Sequence, residues 1–184
     1  VAEKVDADTR LVTVIHSSNV VGTVNNVHLI AKAVRLVSPE AFILIDGTQH
    51  APHGPTRISE MDIDAYFFEP YKSFSMHGWC FAWLSDRLAE VWQVRLQGKC
   101  PMDWDLGTRA PASYSAWRTV VDYFAWLGSH FTNERCRKSR MFAGMKAIQA
   151  HERALLHVLL DGNYGCDGTV SYPHLRDNET EADV

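Results

Sequence analysis

Cysteine is sparse and badly spaced for a scaffold: the four stand at 80, 100, 136 and 166, with no Cys-x-x-Cys pair and no Cys/His spacing that suits zinc. That pattern argues for reduced thiols and a cytoplasmic protein. The nine histidines form neither His-Glu-x-x-His nor a tight cluster, so no metal site is expected. No apolar run approaches the roughly 20 residues that a membrane span needs, and no signal peptide is read, so no membrane partner is expected. A strong excess of positive or negative charge is missing too. The 18 Lys and Arg are scattered among 22 Asp and Glu, for a net charge of −4, and no basic tract follows a phosphate backbone. No nucleic-acid partner is therefore expected. Internal repeats and low-complexity segments are also absent.

What is present is ordinary globular material, 46% hydrophobic and 22% charged, in 184 residues. That length suits one domain or a little more. The chain opens on Val1 and closes on the polar run RDNETEADV, so both ends read as cut from something longer.

The first half alternates short apolar runs with helical stretches. LVTVIH (11–16) reads as a buried strand. Asn25 or Asn26 can cap a helix carrying Val27, Ile30, Val34 and Val37 on one stripe, stopped at Ser38-Pro39. AFILI (41–45), AYFF (65–68) and GWCFAWL (78–84) read as further strands, and Ser85 caps a short helix. Strand, helix, strand at this spacing implies parallel pairing through a crossover, an α/β sheet with strands buried on both faces. Ligands of such sheets bind at the carboxyl ends of the strands. His16, Asp46 and the segment after Phe68 all fall there.

The second half is helical. Ser113 can cap a helix whose face carries Trp117, Val120, Phe124 and Leu127, with Gly128 ending it. A longer helix over 133–160 carries Met141, Met145, Ile148 and Leu155, read as core packing. The expected division is residues 1–128 as part of a ligand-binding domain and 129–184 as a connecting helix and the start of a second, truncated domain.

The chemistry rests on three strand-end side chains. Asp46 closes ILID, Gln49 follows three residues on, and Lys72 lies 26 residues beyond Asp46, after another strand. Singly, an Asp there is a turn former and a Lys is a solvated surface residue. Together they match what pyridoxal-phosphate (PLP) chemistry asks for. It needs an amine to form an imine, a carboxylate facing the pyridine nitrogen, and a donor near the phenolic oxygen.

Longer motifs surround these residues. VIHSSNVVGTVNNVHLIAKAV, ILIDGTQHAPH, DAYFFEPYKSFSMHGWCFAWLSDRL and WDLGTRAPASYSAW run over most of the chain. In combination they resemble the class-V aminotransferase and cysteine desulfurase family of PLP fold type I, most of all its cysteine desulfurase-like branch. The resemblance implies part of that fold's large domain, a mostly parallel sheet flanked by helices, leading to a small domain. It implies PLP as cofactor, an amino-acid substrate, and a desulfurase, lyase or transaminase reaction.

By the same resemblance Lys72 is the Schiff-base lysine and proton shuttle. Asp46 pairs with the pyridine nitrogen and Gln49 touches the phenolic oxygen. Asn19 lies close to the cofactor and the substrate carboxylate. Thr108 reaches the phosphate held by a partner subunit, which makes the full-length form a homodimer. The family's usual Ser-x-His-Lys is here Glu69-Pro70-Tyr71-Lys72. Tyr71 can still donate a hydrogen bond to phosphate. Glu69 cannot when ionised, and its charge disfavours an anion. The family's nucleophilic Cys aligns with none of the four here. Cys80 reads as core, and Cys166 as a loop thiol. His16 reads as a strand-end hydrogen bonder or as a group that supports the cofactor site from behind, His50 and His53 as loop histidines of which one could touch substrate, and Arg109 as a loop Arg able to pair an anion. Two competing readings stand beside this one: a truncated relic that keeps the fold without catalysis, and an unrelated α/β binding domain.

Overall fold

The computed structural model describes residues 2–100, 103–105, 107 and 110–162. Four strands form one sheet in sequential order: β1 (Leu11–Ile15), β2 (Phe42–Asp46), β3 (Ala65–Phe68) and β4 (Phe81–Leu84). β1 and β2 are parallel, as are β2 and β3, while β4 returns antiparallel. The register places Ile15 opposite Asp46 and Asp46 opposite Phe67, so three parallel strands end on one row across the sheet.

The crossover between β1 and β2 is helix α1 (Val27–Val37). The Asn26 side chain accepts the Leu29 N–H and caps it. Val27, Ala31 and Val34, at helical spacing, are buried against Ile43 and Ile45 of β2 and Tyr66 of β3. Each such aliphatic side chain contributes about 1.5–3 kcal/mol on full burial. Alternation along β2 then turns Phe42, Leu44 and Asp46 to the opposite face.

That opposite face departs from the expectation of strands buried on both sides. β1 is an edge strand among the described residues, and its Leu11 and Ile15 are 55% and 47% exposed. Helix α1 packs on the face that carries Val12, Val14, Ile43 and Ile45.

Asp64, just before β3, ties the bottom of the sheet together. It accepts from the Ile43 N–H at 2.9 Å, from Ser85 Oγ at 3.0 Å, and from the guanidinium groups of Arg35 (2.9 Å) and Arg87 (2.7 and 3.0 Å). Burial alone would raise this carboxyl. Hydrogen bonds from Arg87, Ile43, Arg35 and Ser85 outweigh it and hold the pKa at about 2. Ser85 also caps the short helix α2 (Asp86–Ala89), as its position suggests.

Two longer helices, α3 (Pro111–Gly128) and α4 (Arg137–Asp161), pack together around Val120, Phe124 and Met145. Two expectations need correction. Ser113 is not the cap: the helix already begins at Pro111, whose fixed φ and missing N–H suit the first turn. Gly128 is not a left-handed terminator either. It is helical, and a Cβ there would lie 1.7 Å from the Arg140 carbonyl oxygen. Gly144 faces it, where a Cβ would meet the Phe124 carbonyl oxygen at 2.4 Å. The pair lets the two helix backbones touch.

Candidate active site

The carboxyl ends of the parallel strands open on a cleft of ≈ 290 Å³ lined by Ile15, Ser17, Asn19, Asp46, Thr48, Gln49, Glu69 and Lys72. This is near the lower end of small-molecule sites, about 300 Å³. Each element supplies its share for a local reason. Beyond β1 the chain folds back on itself: Ser17 bridges Val24, Ser18 N–H donates to the Thr23 carbonyl at 2.9 Å, and Asn25 Nδ2 donates to the Ile15 carbonyl at 2.8 Å. The reversal carries Asn19, exposed, to the cleft.

Asp46 ends β2, and its Oδ1 accepts the Thr48 N–H at 2.9 Å. This Asx turn starts the bend that brings Gln49 back over the sheet. Gly47 is needed at the bend, because a Cβ there would lie 2.1 Å from Tyr66 Cζ.

Lys72 sits on a 3-10 turn, Pro70–Ser73, that follows β3 and closes on Phe74 with φ 65°. A left-handed conformation is unusual for a bulky residue and marks local strain. The turn is braced from α3: Phe74 packs on Phe124 with ring centroids 6.2 Å apart, and Phe68 packs on Trp117 at 5.4 Å. Lys72 Nζ lies 5.7 Å from the Tyr71 ring centroid and makes no ion pair with the described residues.

Asn19, Asp46, Gln49 and Lys72 thus share one cleft, with Ser17, Thr48 and Glu69 beside them. Tyr71 neighbours it with its ring stacked on His77, centroids 4.0 Å apart. Thr108, like Arg109 and Cys166, lies outside the described residues. The donor set suits an aromatic aldehyde with a ring nitrogen and a phenolic oxygen: an amine, a carboxylate and an amide. It suits a phosphate less, since Glu69 stands in the cleft and Lys72 is the one cationic side chain among the lining residues. A larger groove of ≈ 860 Å³ between the 55–60 segment and the two long helices carries none of the candidate site residues.

Behind the cleft lies a buried polar group that residue spacing did not reveal. The His16 ring stacks on His50 with centroids 3.6 Å apart, and its Nδ1 is 2.9 Å from the Tyr66 hydroxyl. Burial first, then the neighbouring His50, lower the His16 pKa to about 3, so its imidazole is neutral at physiological pH. Burial raises the Tyr66 hydroxyl to about 12, with the Asp46 carboxylate adding to the rise. The signals were a polar aromatic within an apolar strand and a glycine after a strand-end Asp. His53, read as a loop histidine, pairs with Glu152 of α4 at 2.9 Å.

Comparison with known proteins agrees with the geometry. A family model described as aminotransferase class-V matches residues 1–162. The cysteine desulfurase-like protein ustD of Aspergillus flavus is 44% identical over 69 residues, which are 38% of this chain and 16% of that protein. A probable cysteine desulfurase of Halobacterium salinarum is 29% identical over 175 residues, 87% of this chain and 38% of that protein. Among solved structures, an apo cysteine desulfurase from Thermococcus onnurineus NA1 matches with a TM-score of 0.62 at 18% identity, over 84% of this chain and 38% of that one. The fold is therefore that of the PLP fold type I cysteine desulfurases. The chain spans well under half the length of these relatives.

Proposed function

This chain belongs to the class-V aminotransferase family, and from that premise we propose that it is the cofactor-binding part of a PLP-dependent enzyme acting on an amino acid. The observation that carries the reading is the convergence of Asp46, Gln49 and Lys72, from three separate segments, on one cleft. Lys72 would hold the cofactor covalently through Nζ and move a proton at the substrate. Asp46 would face the pyridine nitrogen with the carboxylate oxygen that Thr48 leaves free, and Gln49 would donate toward the phenolic oxygen. Asn19 would lie against the ring and the substrate carboxylate. Tyr71 is assigned a hydrogen bond to phosphate.

When bound, PLP supplies an electron sink for charge that develops at the amino acid. That chemistry serves desulfurases, lyases and transaminases alike. By the family resemblance, residues 1–128 belong to the large domain and 129–184 lead into the small one. The full-length form is a homodimer in which Thr108 reaches across to the partner's phosphate site, and its place is the cytoplasm.

The test is a PLP titration followed by visible absorbance. The expected result is a band from lysine-bound cofactor that is lost in Lys72→Ala. Absence of that band in the wild type, or its persistence in Lys72→Ala, refutes the reading. One observation favours a second reading, a form of the fold that has lost catalysis: Glu69 lines the cleft where an anion would sit. A wild type that binds PLP yet turns over no amino acid would select it.

A further inference from the structure

We infer that His16 and Tyr66 are positioning residues for the cleft: their contact clamps the turn from Asp46 to His50 and so orients Asp46 and Gln49. The inference rests on the reading of the cleft as a PLP site. The clamp has three parts. The His16 N–H donates to the Asp46 carbonyl at 2.8 Å, which fixes the end of β2 to the end of β1. The Tyr66 ring fills the space beneath Gly47, so closely that no Cβ fits there. His50 N–H and Ala51 N–H both donate to the Gly47 carbonyl, at 3.0 and 2.8 Å, and close the turn. The His50 ring then lies flat on the His16 ring.

The junction of these parts is the bond between His16 Nδ1 and the Tyr66 hydroxyl, 2.9 Å long, with the rings edge to face at 88°. Thr56 Oγ1, at 3.5 Å, is the hydroxyl's second neighbour. An apolar pair could fill this space, but only a directional bond fixes the ring orientations on which Gly47 and His50 rest. The clamped stretch runs from Asp46 to His50 and so contains two of the side chains the cleft would use, Asp46 and Gln49. Asp46 Oδ1 is taken by the Thr48 N–H, and Oδ2 accepts no hydrogen bond from the described residues. That oxygen can serve a ligand only if the turn holds its direction. Neutrality matters as well, because a cation behind Asp46 would compete for its carboxylate, and burial keeps His16 neutral.

The test is amide hydrogen exchange on the whole chain for Tyr66→Phe, His16→Ala and His16→Gln, with a PLP titration by tryptophan quenching in parallel. In Tyr66→Phe the amides of Thr48, His50 and Ala51 should exchange about tenfold faster, the size of one net hydrogen bond. The Ile43 amide, held by Asp64 in the same strand, should not change. His16→Gln, which can still bond the hydroxyl, should restore the turn relative to His16→Ala. PLP affinity should weaken in step with the turn's exchange.

Equal acceleration at Ile43 and at the turn would reduce the contact to general stability and overturn the inference. So would unchanged exchange, or a loosened turn with unchanged PLP affinity. A wild type that fails to bind PLP overturns the proposed function, while the exchange comparison still decides whether the clamp exists.

Discussion

Acid should unfold this chain through His16 before it does so through the best-held carboxylate. Burial and then His50 lower the His16 pKa from 6.5 to about 3. In the unfolded chain the imidazole titrates at its ordinary value. Between these limits the unfolded state binds a proton that the folded state refuses, so stability rises with pH and is lost as pH falls from 6.5 toward 3. The slope approaches ~1.4 kcal/mol per pH unit, which gives a loss of about 2 kcal/mol by pH 5 and about 5 kcal/mol by pH 3. Asp64 loses stability in the same direction, as pH falls, but in a different window. Its pKa is lowered from 3.8 to about 2, so its contribution is whole above pH 3.8 and is lost as pH falls through 2. The interval from 6.5 to 5 therefore belongs to histidine. Urea unfolding followed by far-ultraviolet circular dichroism at pH of about 7, 6 and 5 reads the slope directly. The wild type should lose at least about 2 kcal/mol across that interval, and His16→Gln should lose clearly less. His50, itself lowered chiefly by burial, supplies part of what remains. Parallel loss in wild type and His16→Gln would refute the assignment.

Gly144→Ala should part α3 from α4, because its Cβ would meet a backbone oxygen at 2.4 Å rather than a movable side chain. The expected cost is about 2–3 kcal/mol, seen as a Tm lowered by about 5 °C or more in calorimetry. Asp64→Asn should destabilise by about 3 kcal/mol in urea unfolding, since Arg35 and Arg87 lose their shared carboxylate. Glu69→Ser should tighten PLP binding about threefold in a fluorescence titration, a modest gain because Glu69 is exposed and its charge is screened.

The elements that were legible in the sequence are those whose signal is local. AYFF is β3 to the residue, and Asn26 and Ser85 cap the helices their positions suggest. That Asp46, Gln49 and Lys72 line one cleft was legible for a related reason: they are polar groups at or just past the ends of apolar strands, where parallel sheets leave room for ligands. What was not legible depends on partners far along the chain. His16 and Tyr66 are 50 residues apart, and no periodicity joins them. The helix does end at Gly128, as expected, but the need for a glycine there comes from α4, whose backbone leaves no room for a Cβ. Leu11 and Ile15 carry the composition of a fully buried strand, yet they are exposed, because α1 covers the other face of the sheet.

Two aspartates of one sheet show how function separates from structure here. Asp64, at the amino end of β3, is 2% exposed and shares both carboxylate oxygens among two guanidinium groups, a hydroxyl and an amide. Every acceptor position it needs is filled from within, so it can offer nothing to a ligand without losing stability. Asp46, at the carboxyl end of β2, is half-buried, and among the described residues its side chain bonds a single amide and pairs with no arginine. Lys72 faces the same cleft without an ion pair among the described residues. The fold closes one carboxylate from within and leaves the other open in the cleft that Lys72 also lines, and it is this second carboxylate that the proposed function uses.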